Sequence, residues 1–176
     1  MNAEDDRRFR EFARARALAL RRTAYLLCAD WHLAEDLVQT TLIKLYRVWP
    51  RLHADVPIDN YTRRILLRCW LDEQRRPWRR RERRDGIVPE LSDELLDPAN
   101  AALVSGVSDV LLSALAALGP RQRAAVVLRY CADLPVAEVA VALRCSEGTV
   151  RSQAARGLAT LRVAVNELEI NGQRST

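Results

Sequence analysis

The sequence predicts an all-α protein: two small helical domains joined by an acidic flexible linker, the second a helix-turn-helix. Three observations carry that prediction. Apolar residues recur at helical spacing, and Asp, Ser, Gly and Pro punctuate them where helices should begin and end. Charge divides the chain: residues 63–84 net +7, whereas residues 85–109 hold Asp85, Glu90, Asp93, Glu94, Asp97 and Asp109 with no Lys or Arg. Finally, two short helical stretches, a turn and a capped helix follow one another from Pro120, which is helix-turn-helix spacing. The divisions read as 1–84, a linker 85–107, 108–170 and a tail 171–176.

A chain of 176 residues, 49% hydrophobic, can build one medium domain or two small ones. All but one of its 28 basic residues are Arg, the exception being Lys44. Arg suits bidentate contacts to phosphates and base edges. With a pI near 9.4, the expected partner is nucleic acid or an acidic surface. No apolar run approaches the ~18 residues of a membrane span, and MNAEDDRRFREF lacks the layout of a secretion signal. A cytoplasmic protein without membrane contact is the expectation. Cys28, Cys69, Cys131 and Cys145 are far apart and read as buried thiols. His32 and His53 have no metal-spaced partner, and no Gly-rich phosphate loop or catalytic triad is legible. No metal, cofactor or enzyme active site is expected.

The first helix is expected from about Asp5 to Cys28, its acids at the positive end. Phe9, Phe12, Leu20, Ala24 and Leu27 mark its core stripe, and Arg7, Arg8, Arg10, Arg14, Arg21 and Arg22 read as solvated. A second helix follows Ala29-Asp30 to about Trp49. Leu33, Leu37, Thr41, Leu45 and Val48 share one side, with Val38, Leu42 and Trp49 beside them. The other side mixes Ile43 and Tyr46 with Asp36, Gln39, Thr40, Lys44 and Arg47, the composition of a partner-binding surface. After a loop over 51–60, Asp55 or Asp59 can cap the next helix, with Pro57 in its first turn.

That third helix opens the stretch around which the chain is organised, Tyr61–Arg84, with ten Arg against three acids. Tyr61, Ile65 and Cys69 form a stripe, with Leu66 and Trp70 one step round, and Pro77 should end the helix near Arg76. So many guanidinium groups on one helix call for an anion, and a polyphosphate fits. Tyr61, Trp70 and Trp78 lie in the same field, suited to stacking on unpaired bases. The alternative is a solvated basic face with Tyr61 and Trp70 in the core.

In the second half Ser108 is placed as a cap for a helix over 109–118, which Gly119 ends and Pro120 follows into the next. In 120–131, Ala124, Val127 and Leu128 face inward and Tyr130 is a further candidate, while Arg121, Gln122 and Arg123 face outward. A short helix over 136–143 and a tight turn at Arg144-Cys145 lead to Ser146, the cap of a last helix from Glu147 to about Glu169. Val150, Ala154, Leu158, Leu161, Val165 and Leu168 form its inner stripe. Thr149, Ser152, Gln153 and Arg156 fall largely opposite, with Arg151 flanking. Gln and Arg are the side chains that read adenine and guanine edges in the major groove.

The run HLAEDLVQTTLIKLYRVWPRL (32–52), with YTRRILLRCWLDEQRRPWRRR (61–81), resembles region 2 of the extracytoplasmic-function, sigma-E-like sigma factors of bacterial RNA polymerase, in the sigma-70 superfamily. The run 117–162, from ALGPRQRAAVVLRYC through EGTVRSQ to LATLR, resembles their region 4. The resemblance implies an alternative sigma factor that binds core RNA polymerase and directs promoter recognition and transcription initiation. It implies as core-binding residues Asp36, Gln39, Thr40, Ile43, Lys44 and Arg47, against the clamp coiled coil of the β′ subunit. As −10 readers it implies the loop 53–60 with Asn60, Tyr61, Arg63, Arg64, Leu67, Arg68, Leu71 and Gln74, and phosphate contacts from Arg75, Arg76, Arg79 and Arg80. As −35 readers it implies Thr149, Arg151, Ser152, Gln153 and Arg156, with backbone contacts from Arg121, Arg123 and Ser146. The β flap, promoter DNA and an anti-sigma factor complete the implied partners.

The sequence departs from the family pattern at Thr40, where an acid is frequent, and at Arg144, where the turn usually has Gly. If that turn is left-handed, Arg costs it about 1 kcal/mol. Two other readings stand beside the sigma factor: a stand-alone helix-turn-helix DNA-binding regulator built on 108–162, and an interaction protein that binds polymerase without promoter DNA.

Overall fold

The computed structural model describes residues 2–52, 56–75 and 109–174, the side chains of the last helix as far as Glu167. The chain falls into two compact units, divided near Asp85.

In the first unit, helix α1 spans Ala3–Cys28. Asn2 caps it, its side chain accepting from Asp5 N at 2.7 Å, and Glu4, Asp5 and Asp6 fill the first turn, where the helix dipole favours acids. Ala29 ends α1 with φ 56°, donating its N–H to Tyr25 O. Asp30 then caps α2 (Trp31–Val48), accepting from Leu33 N at 2.9 Å. This corner is so short that α1 and α2 must pack against each other. Tyr25 stacks on Trp31 inside it, ring centroids 3.8 Å apart. A 3-10 turn, Trp49–Arg51, places the buried Trp49 ring edge-on against Phe9 and beside Phe12.

Helix α3 spans Ile58–Gln74, stopping short of Pro77. It starts three residues earlier than expected, so 58–60 of the proposed reading loop are helical, while 53–55 lie outside the described residues. Pro57 holds the cap position with no side-chain cap bond. Asp59 lies inside the first turn and pairs with Arg16. The buried stripe is rotated one step from the expected one: Thr62, Leu66, Leu67, Cys69 and Trp70 are buried, Tyr61 and Ile65 only partly. The reason is that α3 packs on both α1 and α2, so its core centres on Leu66 and Trp70, which point into the angle between them. Buried hydroxyls cost nothing here, since Thr23, Thr41 and Thr62 each donate to the carbonyl four residues back.

The second unit has α4 (Asp109–Ala117), α5 (Pro120–Val126) running into a π turn at Val127–Cys131, α6 (Val136–Leu143) and α7 (Glu147–Arg174). Ser108, the expected cap of α4, lies outside the described residues. Leu112, Leu115, Ala124, Val127, Leu128, Leu134, Val139, Val150, Ala154 and Leu161 form the core, and α7 packs on α4, α5 and α6. Tyr130 is exposed, contrary to its candidacy for the core, because the wider π turn carries it outward. Cys131 is exposed as well and Cys145 half-buried, so only Cys28 and Cys69 are the buried thiols expected.

Arg144 ends α6 with φ 53° and ψ 54°, the left-handed conformation that the turn was suspected of needing. Cys145 N then donates to Ala140 O at 3.0 Å, closing the helix end. The Arg144→Gly variant is therefore expected to gain up to about 1 kcal/mol, the strain relieved less the added freedom of the unfolded chain. A higher urea midpoint at unchanged slope is the expected reading; a lower one would show that the Arg144 side chain contributes more than its backbone costs.

Candidate nucleic-acid and partner interfaces

Helix α2 turns Leu33, Leu37, Val38, Thr41 and Leu45 into the core. The opposite side leaves Asp36, Gln39, Thr40, Ile43, Lys44 and Arg47 all exposed, as the sequence reading placed them. Five of these, Arg47 being the exception, line a groove of about 490 Å³ between α2 and α3. Its other wall is Cys69, Asp72 and Glu73 of α3, which the sequence reading did not assign to this surface. Their spacing of three and four does put them on one helix face, but nothing in the sequence says that face meets α2. Lys44 bridges the walls, its Nζ donating to Cys69 Sγ at 3.3 Å. Beyond the groove, Tyr46 is exposed on the same helix and its hydroxyl donates to Asp6 Oδ1 at 3.3 Å. Partial desolvation, then the Asp6 carboxylate, raises this phenol above its ordinary value.

On α3, Arg68 and Arg75 are exposed, and Asn60, Tyr61, Arg63, Arg64, Leu71 and Gln74 are half-buried. The Arg64 guanidinium lies over the Tyr61 ring, 5.5 Å from its centroid, so the two present one cationic, aromatic surface. Two expectations are corrected here. Leu67 is fully buried and belongs to the core, because it flanks Leu66 in the angle where α3 meets its neighbours. Trp70 is buried too, which leaves Tyr61 as the accessible aromatic among the described residues of this helix. Arg76, Trp78, Arg79 and Arg80 lie outside the described residues.

At the start of α7, Ser146 Oγ accepts from Thr149 N at 3.1 Å and lies 2.9 Å from the Thr149 hydroxyl. Both hydroxyls are thus engaged in the cap. Ser152 and Arg156 stand exposed one turn apart, with Gln153 half-buried beside them. Arg151 is exposed and donates to Glu147 Oε2 at 2.7 Å, so part of its guanidinium fork is already paired with a carboxylate. Arg121 is exposed in the first turn of α5. Arg123 is not: it is buried, and its Nε donates to Leu115 O at 2.6 Å. Its expected contact with the DNA backbone is corrected to a structural one, tying α5 to the end of α4. The long aliphatic stem makes such burial possible once a carbonyl awaits the guanidinium.

Gly157 is a further residue the sequence reading passed over. A Cβ placed on it would lie 2.7 Å from Val126 Cγ2 and 3.4 Å from Gln122 O. Only glycine lets α7 approach α5 this closely, and that approach sets how α7 is presented.

Comparison with known proteins gives the family of the chain. The family description "Sigma-70 region 2" matches residues 12–80 and "Sigma-70, region 4" matches residues 108–161. The RNA polymerase sigma-E factor of Streptomyces avermitilis is 32% identical over 165 residues, 94% of this chain and 89% of that one. The chain belongs to the sigma-70 family. The sigma-E factor of Streptomyces coelicolor is 34% identical over 154 residues, covering 88% of this chain and 84% of its own. As a sigma factor of the extracytoplasmic-function branch, the protein binds core RNA polymerase and promoter DNA and directs transcription initiation. The fold of the sigma factor RpoE of Bartonella quintana, solved with the anti-sigma factor NepR, is similar, with TM-score 0.65 and 23% identity over 89% of this chain and 97% of that one. No described helix of this sigma factor is long and apolar enough to cross a membrane.

Proposed function

We propose that residues 1–84 act as a unit that docks on core polymerase and reads the −10 element, that 85–107 tether it, and that 108–170 read the −35 element. The α2 side of the groove, Asp36, Gln39, Thr40, Ile43 and Lys44 with Arg47 adjoining, meets the β′ clamp coiled coil. Asn60, Tyr61, Arg63, Arg64, Arg68, Leu71, Gln74 and Arg75 face the −10 strand, and the helix-turn-helix unit sits at the β flap with α7 in the major groove. An anti-sigma factor, the kind of partner seen with the Bartonella protein, is the proposed regulator. The protein contributes binding and positioning, not catalysis.

The observation that supports this reading best is the division of α7. Val150, Ala154 and Leu161 are buried, while Arg151, Ser152 and Arg156 stand exposed on the side that a groove would meet. Gln153 and Arg156 are assigned to bases, Arg121 to phosphate. Losing a base reader should cost about 1–3 kcal/mol and relax preference at one position, whereas losing a phosphate contact should weaken all sequences alike. The test is selection of −35 sequences by holoenzymes carrying Gln153→Ala, Arg156→Ala or Arg121→Ala. The assignment fails if Arg121→Ala shifts the selected sequence while the two α7 changes only lower affinity.

A further inference from the structure

We propose that Arg16 is a positioning residue for the −10 element, fastening to α1 the first turn of α3, which carries Asn60 and Tyr61. Its Nε lies 2.8 Å from Asp59 Oδ1, and its Nη2 donates to Asp59 Oδ2 at 2.8 Å. This two-point bond joins residues 43 apart in the chain. The inference rests on the reading that the start of α3 faces the −10 strand.

Three observations give the pair this role. The first turn of α3 has no side-chain cap of its own, Pro57 standing where a hydroxyl or carboxylate would otherwise accept its N–H groups. The Arg16 fork against its carboxylate adds a polar tie from outside the helix to this uncapped turn, and it fixes direction as well as distance. Among the described residues, the other α1 arginines with acidic partners behave differently. Arg7, Arg8 and Arg10 pair with acids three or four residues away on α1 itself, and Arg21 reaches Glu35 on α2. Lastly, both side chains are well exposed, at 49% and 37%, so the pair adds little to folding. What it does instead is neutralise a carboxylate next to Asn60, where an unpaired charge would repel a phosphate strand.

The experiment uses holoenzymes carrying Arg16→Met, Arg16→Lys, the reversal Arg16→Asp with Asp59→Arg, and Asn60→Ala as reference. A fluorescent base in the −10 element reports the rate of promoter opening, and core affinity and melting temperature are measured in parallel. Arg16→Met should slow opening about tenfold, the scale of one lost specific contact. Core affinity and melting temperature should not move, and Arg16→Lys or the reversal should recover part of the rate. Opening at the wild-type rate in Arg16→Met, with Asn60→Ala slow, overturns the positioning role and leaves the −10 reading standing. Wild-type rates in both overturn the reading and the inference with it. A loss that neither Arg16→Lys nor the reversal recovers also overturns the role of the pair.

Discussion

The double variant Asp36→Arg with Gln39→Ala is expected to lose binding to core polymerase by about a hundredfold or more while its helices and melting behaviour stay intact. Both side chains are exposed on α2 and line the groove against α3. Neither belongs to the buried Leu33, Leu37 and Thr41 stripe that holds α2 in the core. Exposed positions of this kind move stability by only about ±0.5 kcal/mol. At a docking surface the same changes act twice. One removes a polar contact, and the other places a positive charge where a negative one stood, a mismatch that costs several kcal/mol between like charges. Gel filtration with core enzyme checks the association, and circular dichroism with a thermal melt checks the fold. Unchanged co-elution would remove α2 as the docking surface.

The second large effect is expected at Gly157, through packing rather than charge. Its missing side chain is what allows α7 to lie against Val126 and the Gln122 backbone of α5. In Gly157→Leu the new Cβ must push Val126 or the α5 backbone away. Overpacking of this kind costs about 3 kcal/mol, only partly offset by the ~1 kcal/mol that leaving glycine gains in a helix. The displacement falls between the two helices that present Arg121 and Arg156. Transcription that depends on the −35 element should therefore collapse, while co-elution with core through α2 persists. Urea unfolding and transcription from templates with and without the −35 element measure the two consequences. Wild-type stability in Gly157→Leu would mean that α5 and α7 can separate at no cost.

Helix ends were the most legible part of the sequence, because caps are local chemistry. Ser146 caps as its position predicts, α2 follows Ala29-Asp30, Gly119-Pro120 marks its junction, and α6 has the bounds read from its pattern, whereas Pro57 and not Asp59 stands at the cap of α3. The strained turn at Arg144 was legible only through the resemblance, in which this turn usually has Gly. The inward face of α2 was legible at Leu33, Leu37, Thr41 and Leu45 and that of α7 at Val150, Ala154 and Leu161, while Val48, Leu158 and Val165 are only half-buried and Leu168 lies outside the described side chains. Leu67 and Trp70 show where that logic stops. Periodicity states which residues share a face of α3, but the direction of the core depends on α1 and α2, which both press on it. Arg123 shows a second limit, since a residue type cannot reveal that Leu115 O waits within reach. Gly157, the α3 wall of the groove and the Arg16–Asp59 pair are products of tertiary proximity. Each joins residues too far apart in the chain for any local pattern to connect them.

The central claim, that separate surfaces of this chain dock on polymerase and read the two promoter elements, is tested most directly by reconstituted transcription. Purified protein is added to core polymerase on a promoter template, on templates lacking either element, and with the Asp36→Arg/Gln39→Ala and Gly157→Leu variants in parallel. The predicted result is a specific transcript that needs both elements. It should vanish with the docking variant, and Gly157→Leu should respond as removal of the −35 element does. The contradicting result is an absence of specific transcript with wild-type protein, together with equally selective binding to the −35 duplex whether or not core is present. That outcome would describe a stand-alone helix-turn-helix regulator.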